Sequence, residues 1–351
     1  MRGNMRQSNP KKEPLNLDDA EKLIQILKTQ QASNWDLETA IRWKQPIDFD
    51  RPLAALDKNA FLFPGLGSEQ RLALSHWMGL VICACIYEME EFLERTKHLS
   101  WTSYMNQCPV NPEFENLGEQ FFLEEIKHSQ AFRRFLTKYC QEAGIDEELL
   151  ISFLPQIGGT LLGKAVELEL HGHGSGFWWL VSIAEQQFLH IYQVLKPHQS
   201  SLDPLYYSLH EKHFEEEARH ISFPFYMLKY FQTRSHASHW MSGKVAPWIS
   251  KMALMYAQAS NFSLIFLSFE KFKKLKDVKK HHPLFEALSS LEPQIESLSR
   301  SKMLWRLFTR TPYFSPLINV KAFPALQKKA KLFGVPEAPL PDVELEETVD
   351  Y

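Results

Sequence analysis

Residues 210–220 read HEKHFEEEARH, three histidines and four glutamates in eleven residues. Imidazole and carboxylate are donors for divalent cations such as iron and manganese. The run is therefore either a charged helix face or part of a metal site. Inside it stands Glu216-Glu217-x-x-His220, and the same doubled-acid pattern occurs earlier in LEEIKHS as Glu124, Glu125 and His128. With 42 acidic residues and 14 histidines, chance gives roughly 1.7 acid-x-x-His matches and roughly 0.2 of the doubled form. Two occurrences are suggestive, and helix geometry sharpens them.

Residues three and four apart share one helix face. Around the first match that face reads Phe121, Phe122, Glu125, His128, Phe132, Leu136; around the second it reads Tyr206, Leu209, His213, Glu217, His220, Met227. Both are apolar stripes interrupted by acid and imidazole. Burying an ionised carboxylate there is unfavourable by several kcal/mol unless a cation compensates. A further stripe, Trp178, Val181, Glu185, Phe188, Tyr192, is apolar except for Glu185. The segment LVICACIYEMEEFLE carries Glu88, Glu90, Glu91 and Glu94, one of which should point inward; periodicity does not choose between Glu90 and Glu91. In chain order this gives Glu, Glu-x-x-His, Glu, Glu-x-x-His on four helices. That is the bundle-core arrangement of a two-metal carboxylate centre. The separations, 35 residues from Glu90 to Glu125 and 32 from Glu185 to Glu217, suit a helix, a turn and part of the return helix.

The elements that must position these groups follow from caps and breakers. Ser68 is the expected N-cap of a helix running to Lys97, a second helix spans 113–143 and stops at Gly144, and a third covers 146–172 with an interruption at Gly158-Gly159. HGHGSG (171–176) is a break, a fourth helix covers 177–195, and a fifth starts after Asp203-Pro204. Pro224 lacks the N–H that would bond the His220 carbonyl, so the fifth helix should kink or end there. A short amphipathic helix is expected in LDDAEKLIQILKTQ, apolar helices at 245–273, smaller ones at 280–335, and an extended acidic Pro-rich tail. No strand alternation is sustained. The expected fold is all-α: a four-helix bundle with flanking helices. Its parts are a partly disordered N-terminal extension (1–60), the bundle (61–275), and C-terminal helices with the acidic tail packed on the same domain (276–351).

Composition narrows the function classes. The chain has 351 residues, 44% hydrophobic, with net charge −3, which gives no electrostatic footprint for nucleic acid. The start, MRGNMRQSNPKKEP, lacks the apolar run of a signal peptide, and uncharged runs such as WMGLVICACIY are too short to span a bilayer. A cytoplasmic protein without a membrane span is expected. Four cysteines (Cys83, Cys85, Cys108, Cys140) in so long a chain read as ordinary thiols rather than a disulfide framework. Neither a Gly-rich nucleotide fingerprint nor a cysteine cluster for a built-in reductase is present, so electrons must come from a partner. His171 and His173 read as part of a loop, and His281-His282 as surface.

The ligand order resembles that of acyl-carrier-protein desaturases, ribonucleotide reductase small subunits, bacterial multicomponent monooxygenases and ferritins. Within that ferritin-like group the sequence looks most like the arylamine N-oxygenases of the para-aminobenzoate N-oxygenase type. Their site has a third histidine one turn before the second Glu-x-x-His. Here His213 stands four before Glu217, while Phe121 holds the matching place in the first half. The resemblance covers roughly residues 85–225. It implies Glu90, Glu125, His128, Glu185, His213, Glu217 and His220 as metal ligands, and selects Glu90 over Glu91. EEARH and EEIKH also look like the motifs of acyl-carrier-protein desaturases. A ribonucleotide reductase is less similar, because its radical tyrosine position falls on Phe132.

The resemblance implies a di-iron oxygenase in a homodimer, with two Fe ions, or Mn or a mixed Mn/Fe pair, and O2 as co-substrate. It takes a small aromatic amine through hydroxylamine and nitroso stages toward the nitro product. The alternative is a desaturase or hydroxylase acting on an alkyl or carrier-bound acyl chain. Glu124, Glu216 and Arg219 neighbour the ligands in sequence and are candidates for hydrogen-bonding them. His210 is a weaker one, and Glu211 and Glu215 are expected to face water. Tyr87, Phe121, Trp178, Phe188 and Tyr192 are expected in the core.

Overall fold

Two of the bundle helices start by the same local device. Asn111 precedes Pro112 and accepts the Glu113 N–H at 2.9 Å; Asp203 precedes Pro204 and accepts the Tyr206 N–H at 2.7 Å. Proline at the first helical position loses a donor that had no intrahelical partner anyway, and the Asx side chain satisfies another. The computed structural model of the protein describes residues 20–55, 66–107, 110–153 and 175–234, with the single positions 170, 287, 328, 331 and 332. Described in chain order are α1 (Ala20–Ala32), α2 (Ser68–Lys97), a π-helical turn (His98–Thr102) running into α3 (Ser103–Gln107), α4 (Pro112–Ala143), α5 (Glu147–Phe153), α6 (Ser175–Leu195), α7 (Pro204–His220) and α8 (Phe223–Arg234). No strand occurs among the described residues.

The boundaries follow the expected caps with two corrections. α2 is capped by Gly67, not Ser68: the side chain of Gln70 accepts the Gly67 N–H at 3.1 Å, so the cap moves one residue back. α6 starts at Ser175, inside HGHGSG. α4 ends where Gly144 turns left-handed (φ 66°), and the Ile145 N–H closes on the Cys140 carbonyl at 2.9 Å. α7 ends at His220, and α8 begins one turn later with Pro224 as its second residue. The expected interruption at Gly158-Gly159, the helices at 245–273 and 280–335, the terminal tail and Cys108 lie outside the described residues.

Chain direction is set by which core each half-helix enters. One apolar cluster collects Ala73 to Ile86 of α2, Ala131 to Ala143 of α4, Phe188 to Leu195 of α6 and Leu205 to Leu209 of α7. A second collects Phe92 and Leu93 of α2, Phe114 to Phe122 of α4, Phe177 to Ile183 of α6 and, beyond α7, Ile221 to Tyr230. α2 and α7 therefore run from the first cluster to the second, and α4 and α6 run back. α2 packs on α4 and α6 on α7. Because α4 and α6 point the same way, α4 ends and α6 begins at opposite ends of the bundle. A four-helix bundle with one long crossover is the ferritin-like connectivity. The expected ligands of each helix, Glu90, Glu125 with His128, Glu185, and His213 to His220, fall between the two apolar sets.

α2 is long and apolar enough to cross a membrane by length and composition, which corrects the expectation from its uncharged runs. Within this fold 72% of that window is buried, as befits the central helix of a large core. The N-terminal segment is part of the fold as well. α1 packs on α4, Trp35, Ile41, Trp43, Ile47 and Leu53 enter the first cluster, and the Asp203 N–H bonds the Pro52 carbonyl at 3.0 Å.

The π-helical turn delivers Trp101 against α4. A Cβ on Gly118 would lie 2.2 Å from the indole, which is itself buried against Phe114, Phe122 and Phe223. A rigid ring with aromatic neighbours cannot retreat. Gly118→Ala should lower the unfolding free energy by about 1–3 kcal/mol, the range for overpacking a core, measured by urea denaturation followed by far-UV circular dichroism.

Candidate metal centre

The structure brings all seven expected ligands into the waist of the bundle, each 0–2% exposed. Their donor atoms form two overlapping groups. Glu90, His128, His213 and Glu217 offer atoms within 4.8 Å of one another, and so do Glu125, His128, Glu217 and His220. The Glu217 Oε1 lies 3.0 Å from His128 Nδ1, 3.0 Å from His213 Nε2 and 3.5 Å from His220 Nδ1. Glu125 approaches His220 Nδ1 at 2.9 Å and His128 Nδ1 at 3.6 Å; Glu90 approaches His213 Nε2 at 3.2 Å. Glu185 belongs to neither group of four. Its carboxyl lies beside those of Glu217 and Glu125, whose charges act on it. Glu91, by contrast, is half exposed and pairs with Arg95 at 3.5 Å, so Glu90 is the α2 carboxylate of the waist.

The doubled acids have a geometric reason. In each Glu-Glu-x-x-His the second acid and the histidine point into the waist. The first acid, about 100° round the helix, points at the facing helix and meets the histidine of the other half. His128 Nε2 donates to Glu216 Oε2 at 2.8 Å, and His220 Nε2 donates to Glu124 Oε2 at 2.6 Å. Each exchange holds an imidazole with Nδ1 turned inward, the way an outer carboxylate orients a metal-ligating histidine.

These carboxylates are in turn held from outside. Gln30 of α1 donates to Glu124 Oε2 at 2.7 Å and Gln120 to its Oε1 at 3.0 Å. Lys127 reaches Glu216 Oε1 at 2.7 Å, and the Trp35 backbone N–H reaches the same oxygen at 3.3 Å. The Trp35 ring lies parallel to His128, centroids 5.9 Å apart, with the Lys127 ammonium 4.2 Å above it. Gln30, Trp35, Gln120 and Lys127 did not emerge from the motif spacing. Lys127 at least sits next to His128 in EEIKHS; nothing local marks Gln30.

Electrostatics divide the cluster. Burial alone would depress both imidazoles, but the carboxylates around them prevail: His128 is pushed up to about 10 and His220 well above its ordinary value. For Glu124, burial acts upward and is outweighed by the bonds from His220, Gln30 and Gln120, which bring it down to about 2. Burial, aided by the charges of Glu217 and Glu125, drives Glu185 well above the carboxylate range. His213 goes down, because burial dominates there.

A cation fits this donor set. Glu90 Oε2, both oxygens of Glu125 and of Glu217, Glu185 Oε2, and the Nδ1 atoms of His128 and His220 are buried without a hydrogen-bond partner among the described residues. They face one another, and each such atom is a standing penalty of about 1–3 kcal/mol. Four waist carboxylates match the charge of two divalent cations.

The other sequence candidates fall as follows. His210 is buried against Tyr206 and Phe132 (ring centroids 4.4 and 5.3 Å) and bonds none of the ligands. Glu215 is exposed; Glu211 is only half exposed and receives a long bond from Tyr192 at 3.4 Å. Arg219 donates from Nη1 to the Glu215 carbonyl at 2.7 Å, and its Nη2 stands 3.7 Å from Glu216. Phe121, Trp178, Phe188 and Tyr192 are core; Tyr87 is half-buried under Arg133.

No family model and no curated protein matches the chain. Two solved structures of R2-like ligand-binding oxidases with an aerobically reconstituted Mn/Fe cofactor are similar to it. One is 13% identical, covers 88% of this chain and 92% of its own, and superposes with a TM-score of 0.42. The other, a single-substitution mutant, is 14% identical, covers 88% and 93%, and has a TM-score of 0.43.

Glu216 accepts from three groups, and removing it strands the buried His128 Nε2 and the Trp35 N–H, while Lys127 keeps Asn34 and the Trp35 carbonyl. Glu216→Ala should lower the stability of the metal-free protein by about 3–5 kcal/mol, as when a buried ion pair loses one partner. Glu215→Ala, at an exposed neighbouring position, should cost no more than about 0.5 kcal/mol. Parallel urea titrations check both values.

Proposed function

We propose that the chain is an oxygen-activating di-metal enzyme that oxidises the nitrogen of an aromatic amine. Glu90, Glu125, His128, Glu185, His213, Glu217 and His220 would hold two iron ions, with manganese or a mixed Mn/Fe pair as the alternative filling. Glu217 and His128 belong to both groups of donors, so both would be within reach of either group's cation. The two metals supply, when bound and reduced, electrons and open positions for O2. The first oxygenation would put one oxygen atom on nitrogen to give the hydroxylamine, release the other as water, and draw two electrons and two protons from outside. The electrons require an external donor.

The chain's own residues do the rest. Glu124 and Glu216 hold His220 and His128 with Nδ1 turned toward the waist. The apolar clusters above and below the waist exclude water, which protects a reactive site from side reactions. The observation that carries nitrogen rather than carbon oxidation is His213, a third buried imidazole on the same face as Glu217, 3.0 Å from its Oε1. Its counterpart in the first half is Phe121.

Elemental analysis after anaerobic reconstitution should give about two metals per chain, and fewer than about 1.5 would end the di-metal reading. Glu185→Ala should lose metal while its far-UV spectrum keeps the helical signal; full loading would remove Glu185 from the ligand set. With a chemical reductant and O2, the wild type should convert a panel of aminobenzoates to hydroxylamine, nitroso or nitro products. His213→Ala should keep its metals and lose about tenfold or more of that activity, the usual size of a tuning effect at a metal site. Undiminished N-oxygenation in that variant would remove the reason for preferring nitrogen, and formation of an alkene from an acyl thioester would favour the desaturase.

A further inference from the structure

All seven ligands are 0–2% exposed, so a hydrated cation cannot reach them while every element stays in place. Some element has to move, and the bundle survives only if that element opens by itself. Among the described residues α1 meets this condition. It packs on α4 and carries none of the ligands. Of its described side chains only Leu23 and Gln30 are buried; Ile24, Ile26 and Leu27 are half-buried. α4 beneath it buries Phe114, Phe121, Phe122, Phe132 and Phe135. Few buried apolar contacts put α1 at the low end of local stability, where a segment opens without global unfolding.

A gap already runs beneath this helix. A cleft of about 320 Å³ opens between α1, α4, α7 and α8. Its mouth is exposed at Gln25, Thr29 and Ala218, and its buried floor includes Phe121, Gln30 and His220. Gln30 is the α1 contribution to that floor. It donates to Glu124 Oε2 at 2.7 Å, the oxygen that also receives His220 Nε2 at 2.6 Å. Withdrawing α1 takes Ile26, Thr29 and Gln30 out of the cleft together and leaves an open face ending on Glu124 and His220. The far side of the hinge is pinned. Lys127 donates to the Asn34 side chain and, at 3.1 Å, to the Trp35 carbonyl, and the Trp35 ring is seated in the first apolar cluster. We propose that α1 is the gate of the metal centre: it swings off α4 about Ser33, admits divalent cations along the cleft to the Glu124–His220 wall, and closes behind them. The gate rests on the di-metal reading; the separate opening of α1 does not.

Amide hydrogen exchange and the kinetics of cobalt(II) binding, both on the full chain, test the gate. In the metal-free wild type the amides of α1 should exchange faster than those of α2 and α4. Cobalt(II) entry is followed by visible absorbance, and its release by transfer to excess EDTA. Leu23→Ala should speed α1 amide exchange and cobalt entry by one common factor, about thirtyfold or more for truncating a fully buried leucine, and should hasten release as well. Ile26→Ala, a truncation at a half-buried position of the same helix, should raise both rates by a smaller common factor. Leu150→Ala removes a leucine of comparable burial from α5, in the first cluster. It should lower global stability and leave α1 exchange and both cobalt rates unchanged. The gate is overturned if wild-type α1 is as protected as α4, if cobalt entry stays constant while α1 exchange rises, or if Leu150→Ala accelerates cobalt entry as much as Leu23→Ala. A wild type that takes up no cobalt overturns the di-metal reading and the gate with it; cobalt uptake indifferent to α1 overturns the gate alone.

Discussion

The structure depends on placing four carboxylates and three imidazoles, with their outer partners Glu124 and Glu216, in the middle of a bundle between two apolar clusters. Glu90, Glu125, Glu185 and Glu217 are 0–1% exposed, and each ionised one costs several kcal/mol to bury without compensation. Every helix carries an apolar run before its ligand and another after it. The two core clusters are those runs, gathered at opposite ends. The arrangement isolates the charge from water and leaves a compact cation as the economical partner.

The second constraint is reciprocity. Glu124 serves His220 and Glu216 serves His128, so α4 and α7 each complete the other's motif. A slip of one helix past the other would break both exchanges at once. The same two carboxylates carry the attachment of the N-terminal segment, through Gln30 on one and the Trp35 backbone on the other. The bonds that steer the imidazoles therefore also dock α1 and the strand of chain after it. Order in that segment and order in the waist are coupled through two side chains.

Much of this was legible in the sequence, for identifiable reasons. The Asn-Pro and Asp-Pro starts and the Gly144 stop are local chemistry, and they place α4 and α7 within a residue or two. Glu185 was legible because it is a lone acid on an apolar stripe. Glu90 was not separable from Glu91 by periodicity, since four glutamates cluster there and only the α4 and α7 neighbours decide which turns inward. The cap of α2 lies one residue before Ser68, because the Gln70 side chain reaches back to accept the Gly67 N–H. Gln30 was invisible, being joined to Glu124 across 94 residues by a contact that leaves no spacing to read. The cleft between α1, α4, α7 and α8 was equally hidden, since four helices contribute to it and none carries a pattern for it.

The two halves of the centre are alike except at one pair of positions. Four residues before the inward glutamate stands Phe121 in α4 and His213 in α7. Phe121 lies edge-on to His220 at 4.9 Å and forms part of the cleft floor. His213 is enclosed by Phe132 and Phe188, at 4.9 and 5.3 Å, on the dry side of the waist. One half thus trades a donor for an aromatic wall beside an opening, and the other trades a wall for a donor enclosed, among the described residues, by Phe132 and Phe188. If both positions were phenylalanine, the waist would be chemically symmetric and differ only in access. With His213 present, the nitrogen-rich side and the side that faces the cleft are different sides, so the donor sets of the two halves differ without narrowing that cleft.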